Sequence, residues 1–274
     1  CTGTSQTFTI TVNPNPVIAV SGTNPTACAG TDGFITITGL AASTSYSVSY
    51  TDDGTPVGPL SLTSNGAGAI TISGLNAGSY TNFQVSQGAC FSSSATVITL
   101  VDPASPVVTD PADQTLCANT GTTAVNFTGT AGATFNWTNN TPSIGLAASG
   151  TGNIGSFTAT NAGTTAVVAT ITVTPSLAGC TGTSQTFTIT VNPIPTVVDP
   201  SDQSLCANAL TTAVNFTGAI AGTTYNWTNN TPSIGLAASG SGDIGSFTAL
   251  NGVAGTTVTA TITVTPTLNG CAGT

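Results

Sequence analysis

Ile171-Thr-Val-Thr-Pro-Ser-Leu-Ala-Gly-Cys180-Thr-Gly-Thr-Ser-Gln-Thr-Phe-Thr-Ile-Thr-Val191 sets bulky apolar residues in alternation with threonine on both sides of Cys180. A period of two is the pattern of a β-strand with one face buried. The second half of the stretch, from Cys180, is repeated unchanged at Cys1-Thr-Gly-Thr-Ser-Gln-Thr-Phe-Thr-Ile-Thr-Val12. The first half recurs as Ile262-Thr-Val-Thr-Pro-Thr-Leu-Asn-Gly-Cys271, followed by Ala-Gly-Thr274. The interior copy thus joins two halves that stand elsewhere at opposite ends of the sequence. A window cut from a periodic polymer has this property, so the chain is expected to be one unit of a fibre. Residues 1–13 are expected to form a single strand with Phe8, Ile10 and Val12 on the inward face, completing the last domain of a preceding or neighbouring unit.

Working outward, Asn136-Trp-Thr-Asn-Asn-Thr-Pro-Ser-Ile-Gly-Leu-Ala-Ala-Ser-Gly150 recurs without a change at Asn226 to Gly240, and Thr122 to Gly129 recurs at Thr211 to Gly218. The same module type therefore occupies residues 104–193 and 194–274, the second copy lacking its last strand. In each copy Phe135 and Trp137, or Tyr225 and Trp227, share one strand face. Val167, Ala169, Ile171 and Val173, matched by Val258, Ala260, Ile262 and Val264, supply an inward row from a late strand. Residues 14–103 form a different module, with short strands predicted at 34–38, 46–50, 69–73, 81–86 and 95–100 between Gly, Asp and Pro turns. The fold class is all-β: tandem β-sandwiches, beads on a string. The junctions Asn13-Pro14-Asn15-Pro16, Asp102-Pro103-Ala-Ser-Pro106 and Asn192-Pro193-Ile194-Pro195 are short and proline-rich, which favours extended, semi-rigid linkers.

Composition narrows the function. Only 3% of the 274 residues are charged, against about 25% in ordinary proteins. All nine charges are aspartates, with no Lys, Arg, His or Glu, and the net charge is −9. Nucleic-acid affinity depends on cations that neutralise phosphates, so nucleic acid is excluded as a partner. General acid–base and covalent catalysis lean on His, Glu, Lys or a base-activated Ser or Cys. No enzyme activity is expected. A glycosidase would need two carboxylates at a set separation, and the one adjacent pair, Asp52 and Asp53, would point to opposite faces of a strand. There is no apolar run of 18 residues to span a membrane. The 39% hydrophobic content, in alternating rows, argues against disorder.

Aligning the repeats pairs Cys117 with Cys180, Cys206 with Cys271 and, by analogy, Cys28 with Cys90. Cys1, equivalent to Cys180 and Cys271, is left to pair outside this unit. One bridge per module implies an oxidising, extracellular setting. There is no Cys-x-x-Cys and no His, which argues against zinc. Aspartates at turns and junctions, Asp52, Asp53, Asp102, Asp110, Asp113, Asp199 and Asp202, are read as solvated turn residues, with calcium at the joints as the alternative. No other cofactor is implied. The Asn-x-Thr triplets at Asn126, Asn136, Asn139, Asn215, Asn226 and Asn229 are read as accidents of an Asn- and Thr-rich sequence.

Gly74-Leu75-Asn-Ala-Gly78-Ser-Tyr80-Thr-Asn-Phe83-Gln-Val85, with a looser echo at Gly39 to Val48, resembles the tyrosine corner of fibronectin type III sandwiches. With Cys28-Ala-Gly-Thr-Asp-Gly33 and Thr55-Pro-Val-Gly-Pro59, the first module is similar to repeats of giant surface adhesins of gliding Bacteroidetes. Phe135-Asn-Trp-Thr138, Ile154-Gly-Ser-Phe157 and the Ile-Thr-Val-Thr-Pro run before Gly-Cys resemble the polycystic-kidney-disease-like and immunoglobulin-like repeats of the same adhesins. The resemblance implies a secreted structural role at a bacterial cell surface, with further copies of the chain as partners along a filament. Glycans or a host surface are the alternative partners, with Trp137 and Trp227 as sugar platforms. The competing reading places Trp137, Trp227 and Tyr80 in sandwich cores.

Overall fold

A computed structural model of the chain describes residues 3–12 and 14–274, and among these the secondary structure is nearly all strand. The chain divides into two compact units, residues 1–106 with 176–182, and residues 107–175 with 183–274.

The first unit holds β1 (Ala19–Thr23), β2 (Gly33–Thr38), β3 (Ser45–Asp52), β4 (Thr55–Thr63), β5 (Ile70–Leu75), β6 (Gly78–Gln87), β7 (Cys90–Ser94) and β8 (Ile98–Leu100). They form two sheets, ordered β1-β2-β5 and β4-β3-β6-β7, with β8 also paired to β6. Alternation decides which residues meet between them. Ile35, Ile37, Val48, Phe83 and Val85 are fully buried, while the intervening serines and threonines face outward. Tyr80 is buried in this core, and its hydroxyl donates to the Asn76 carbonyl at 3.0 Å, the bond back to upstream backbone that makes a tyrosine corner.

Burial also raises the pKa of Tyr80, and the nearby Asp52 charge raises it further; Tyr50, packed 6.2 Å from Tyr80, is raised by the same two causes. The unfolded chain therefore ionises its tyrosines first as pH rises. The stability these phenols contribute is present below their unfolded pKa of about 10 and is lost as pH rises through the higher folded values. Circular dichroism from pH 7 to 12 should show this core melting only on the alkaline side of pH 10, and Tyr80→Phe should shift that transition upward.

The second unit continues with β9 (Gln114–Cys117), β10 (Thr134–Asn139), β11 (Ser149–Thr151), β12 (Val167–Leu177), β13 (Cys180–Thr181) and β14 (Gln185–Asn192), in the order β11-β10-β12-β14-β9 with β13 paired to β12. The turn between β12 and β13 groups with the first unit. Then come β15 (Thr224–Asn229), β16 (Ser239–Ser241), β17 (Ile262–Leu268) and β18 (Cys271–Ala272), ordered β16-β15-β17-β18. In both copies of the repeat the tryptophan is a core residue. Trp137 lies against Gly150, where an added Cβ would sit 2.3 Å from the ring, and its Nε1 donates to the Gly152 carbonyl; Trp227 repeats both features with Gly240 and Gly242. Gly150→Ala must push a buried indole off its hydrogen bond. Chemical denaturation should report a loss of about 1 to 3 kcal/mol, the usual cost of overpacking.

Residues 3–12 form no strand, and Phe8, Ile10 and Val12 are 86%, 79% and 86% exposed. Within this single chain the described residues 3–12 therefore do not form the expected strand that would complete another unit's domain. A strand is held by bonds to a neighbour, and here the segment has none. Residues 1, 2 and 13 lie outside the described residues, and with them the expected outside partner of Cys1.

Candidate assembly site

β14 shows what the sequence Ser-Gln-Thr-Phe-Thr-Ile-Thr-Val does in a completed sandwich. It pairs antiparallel with β12, Ile171 opposite Phe187 and Val167 opposite Val191, and parallel with β9, Ile189 opposite Gln114 and Val191 opposite Leu116. Phe187, Ile189 and Val191 are fully buried, and with them Ala169, Ile171 and Val173 of β12. Phe187 meets Phe127 edge-on at 6.4 Å, and Phe127 in turn packs on Phe135. Polar groups fix its middle and its C-terminal end: Asp113 Oδ1 accepts from the Thr188 amide at 2.6 Å, and Asn161 Nδ2 donates to the Val191 carbonyl at 2.8 Å.

The third sandwich repeats this frame, but none of its own described strands takes the place of β14. β17 pairs only with β15 and β18. The counterparts of the first half of β12, residues 258–261, and of β9, residues 203–206, carry no strand. Val258, Ala260, Ile262 and Val264 are only partly buried, and Leu205, counterpart of the packed Leu116, is 45% exposed. Phe216 keeps its contact with Tyr225 at 5.7 Å, and among the described residues none stands where Phe187 would. The result is a groove of about 840 Å³, walled by residues that include Asp202, Leu205, Phe216, Ala260, Ile262 and Val264. An open apolar row beside an unpaired strand edge invites a further strand. Asp202 and Asn251 line the groove at the repeat positions of Asp113 and Asn161, which hold β14.

The cysteines overturn the expected pairing. Cys28 is bonded to Cys180 and Cys117 to Cys271, with Cα atoms 4.8 and 5.6 Å apart. The pairs Cys117–Cys180, Cys206–Cys271 and Cys28–Cys90 are not formed. Sheet geometry gives the reason. Cys117 lies opposite Asn192 at one end of the β12–β14 ladder, and Cys180 lies opposite Leu177 at the other. The 11 residues of β12 separate them, about 35 Å at strand rise, where a disulfide needs Cα atoms within about 7 Å. Cys90 is half-buried at the start of β7, and Cys206 is exposed with a free thiol.

Five of the nine aspartates accept from backbone amides. Asp53 Oδ1 accepts from Ser79, Asp102 from Ala29, Asp113 from Thr188 and Asp243 from Phe216. Asp32 accepts from both the amide and the hydroxyl of Thr26, which holds its carboxyl below the usual range. Among the described residues no three His, Cys, Asp or Glu side chains gather as metal ligands. The tryptophans present no exposed platform to a sugar. Asn139 and Asn229, in Asn-x-Thr triplets, are buried clamps: each Nδ2 donates to two carbonyls of the following loop and each Oδ1 accepts the amide two residues on. Only their unchanged context in both copies could have flagged that role in the sequence.

With the sandwiches in view, comparison with known proteins places one segment. Residues 113–195 match the model of a PKD-like domain. No curated protein matches the chain. Among solved structures, titin immunoglobulin domains I67–I69, in an E-to-A variant, are 12% identical with 96% of each chain covered and a TM-score of 0.39. Sidekick-1 immunoglobulin domains 1–4 are 12% identical over 93% of this chain and 74% of that one, with a TM-score of 0.34. Extracellular domains 3–5 of Drosophila OTK are 13% identical over 79% and 77%, with a TM-score of 0.31. Residues 113–195 are thus similar to a PKD-like domain, within a chain whose described secondary structure is nearly all strand.

Proposed function

We propose that the chain is the structural repeat unit of a secreted filament or adhesin stalk at a bacterial cell surface, with the groove of its third sandwich filled by the segment Ser5–Val12 of the unit that follows. One observation carries this reading: residues 5–12 are identical to residues 184–191, the strand that fills the equivalent slot of the second sandwich. Carried over, the β14 register sets Phe8 opposite Ile262, Ile10 opposite Ala260 and Val12 opposite Val258, with Ile10 alongside Gln203. Phe8 then meets Phe216, and Asp202 caps the Thr9 amide. This is strand addition, in which the ladder supplies affinity and alternate side chains supply register. The absence of basic residues suits such a role, since uncharged Thr- and Ser-rich faces approach each other with little Coulomb repulsion.

The test uses the full chain and a synthetic peptide Ser-Gln-Thr-Phe-Thr-Ile-Thr-Val. Saturable one-to-one binding, with a rise in the melting temperature of the third sandwich, is expected, and no binding of a scrambled peptide. Failure of the authentic peptide to bind refutes strand completion. Whether the supplying segment lies on a continuing chain or on a separate copy is read from native fibres by reducing, denaturing electrophoresis: a band at one unit's mass means separate copies.

A further inference from the structure

We infer that Cys206 is one half of a disulfide that locks the strand-filled joint, its other half being a cysteine of the unit that supplies the strand. This rests on the strand-completion reading and adds a covalent lock to it. The observed bridges follow one rule: the first cysteine of a repeat bonds to the second cysteine of the repeat after it, at sequence separations of 152 and 154. Cys28 and Cys117 are first cysteines and both are bonded. Cys206 is the third, in the same Cys-Ala-Asn context as Cys117. By the rule its partner belongs to the repeat after the third sandwich.

The groove brings that repeat to the right place. In the second sandwich Asn192, just beyond the apolar row of β14, lies opposite Cys117, so the strand delivers the following repeat to the end of the sandwich where this cysteine sits. Cys206 lines the groove at the corresponding end and is exposed. A strand seated in the groove therefore carries the next repeat to the thiol of Cys206. The expected partner is the cysteine just after the hairpin turn of that repeat, the place held by Cys180 in β13 and Cys271 in β18.

The chemistry is two thiol–disulfide exchanges with a low-molecular-weight disulfide. The Cys206 thiolate attacks one sulfur of the reagent, forming a mixed disulfide and releasing one reagent thiol. The partner thiolate then attacks the Cys206 sulfur and expels the second reagent thiol. Two protein thiols are oxidised, one reagent disulfide is reduced, and the two protons leave with the released thiols. Strand insertion comes first and raises the effective concentration of the partner to the millimolar range typical of tethered groups, which favours this pairing over random oxidation.

The full chain is allowed to assemble with oxidised glutathione, blocked with N-ethylmaleimide, and compared with Cys206→Ala treated identically. Both are expected to sediment as fibres in native buffer, because the groove and the segment 5–12 are unchanged. In denaturant without reductant the wild type should run as a ladder of covalent multimers. Cys206→Ala and reduced wild type should run as single chains. Peptide mapping should find Cys206 joined to a cysteine of another unit. A Cys206 modified by maleimide in assembled wild-type fibres, or a ladder that persists in Cys206→Ala, overturns the lock while leaving strand completion intact. If neither protein sediments as fibres, strand completion fails and the lock fails with it.

Discussion

Ile10→Asp abolishes association between units and leaves the isolated chain folded. Ile10 is 79% exposed within its own chain, where a carboxylate meets water at no cost. In the groove it takes the position of Ile189, which is fully buried between β12 and β9. Substitution removes about 1.5 to 3 kcal/mol of apolar burial, and an unpaired carboxylate adds several kcal/mol of desolvation. A loss of about 5 kcal/mol corresponds to a more than thousandfold weaker association. Sedimentation velocity should show single chains under conditions where the wild type is expected to form polymers, with an unchanged thermal transition. The same change at Ile189 is the control, since it should unfold the second sandwich and lower that transition. Polymers of Ile10→Asp at wild-type concentrations would exclude this segment as the inserted strand.

Replacing Cys117 and Cys271 together by serine should cost about 5 kcal/mol, the chain-entropy value for a loop of 154 residues. The intramodular pairing expected from the repeats would close loops of only 62 to 65 residues by subtraction, 90 less 28, 180 less 117 and 271 less 206, worth about 4 kcal/mol each. Removing both partners avoids leaving a reactive thiol behind. Guanidinium unfolding monitored by tryptophan fluorescence, which reports on Trp137 and Trp227, should show the loss, and reductant, which also opens Cys28–Cys180, should produce a shift at least as large in the wild type. A double variant as stable as the wild type would show that the bridge is not formed in solution.

Alternation made the core strands legible, though not β1, β4 or β7, whose sequences alternate weakly or not at all. Phe187, Ile189 and Val191, or Ile35 and Ile37, could go nowhere but inward once threonine and serine stood between them. Tyr80 was legible through its spacing from Leu75, because a corner tyrosine must reach backbone a few residues upstream. The cysteine partners were not. Alignment shows that Cys180 and Cys271 are equivalent, but equivalence is not proximity. Only the length of β12 reveals that the two cysteines of a repeat sit at opposite ends of it. The strand expected at 1–13 is unformed at residues 3–12 of the single chain because the segment carries the apolar row but not the edge that a ladder needs, such as the one left open in the third sandwich. The groove itself was foreshadowed by the missing counterpart of β14, though not the loss of strand structure in residues 203–206 and 258–261 that accompanies it.

The two bridges also interlock, since Cys117 falls inside the loop closed by Cys28 and Cys180, and Cys180 inside the one closed by Cys117 and Cys271. Pulled from both ends, an unbridged chain could pay out the 243 residues from Cys28 to Cys271 (271 less 28), about 830 Å at full extension. Through the sulfurs the shortest route runs from Cys28 to Cys180, back along 63 residues (180 less 117) to Cys117, and across to Cys271. That is about 210 Å. However completely the sandwiches melt under tension, the segment from Cys28 to Cys271 stretches to roughly a quarter of its contour.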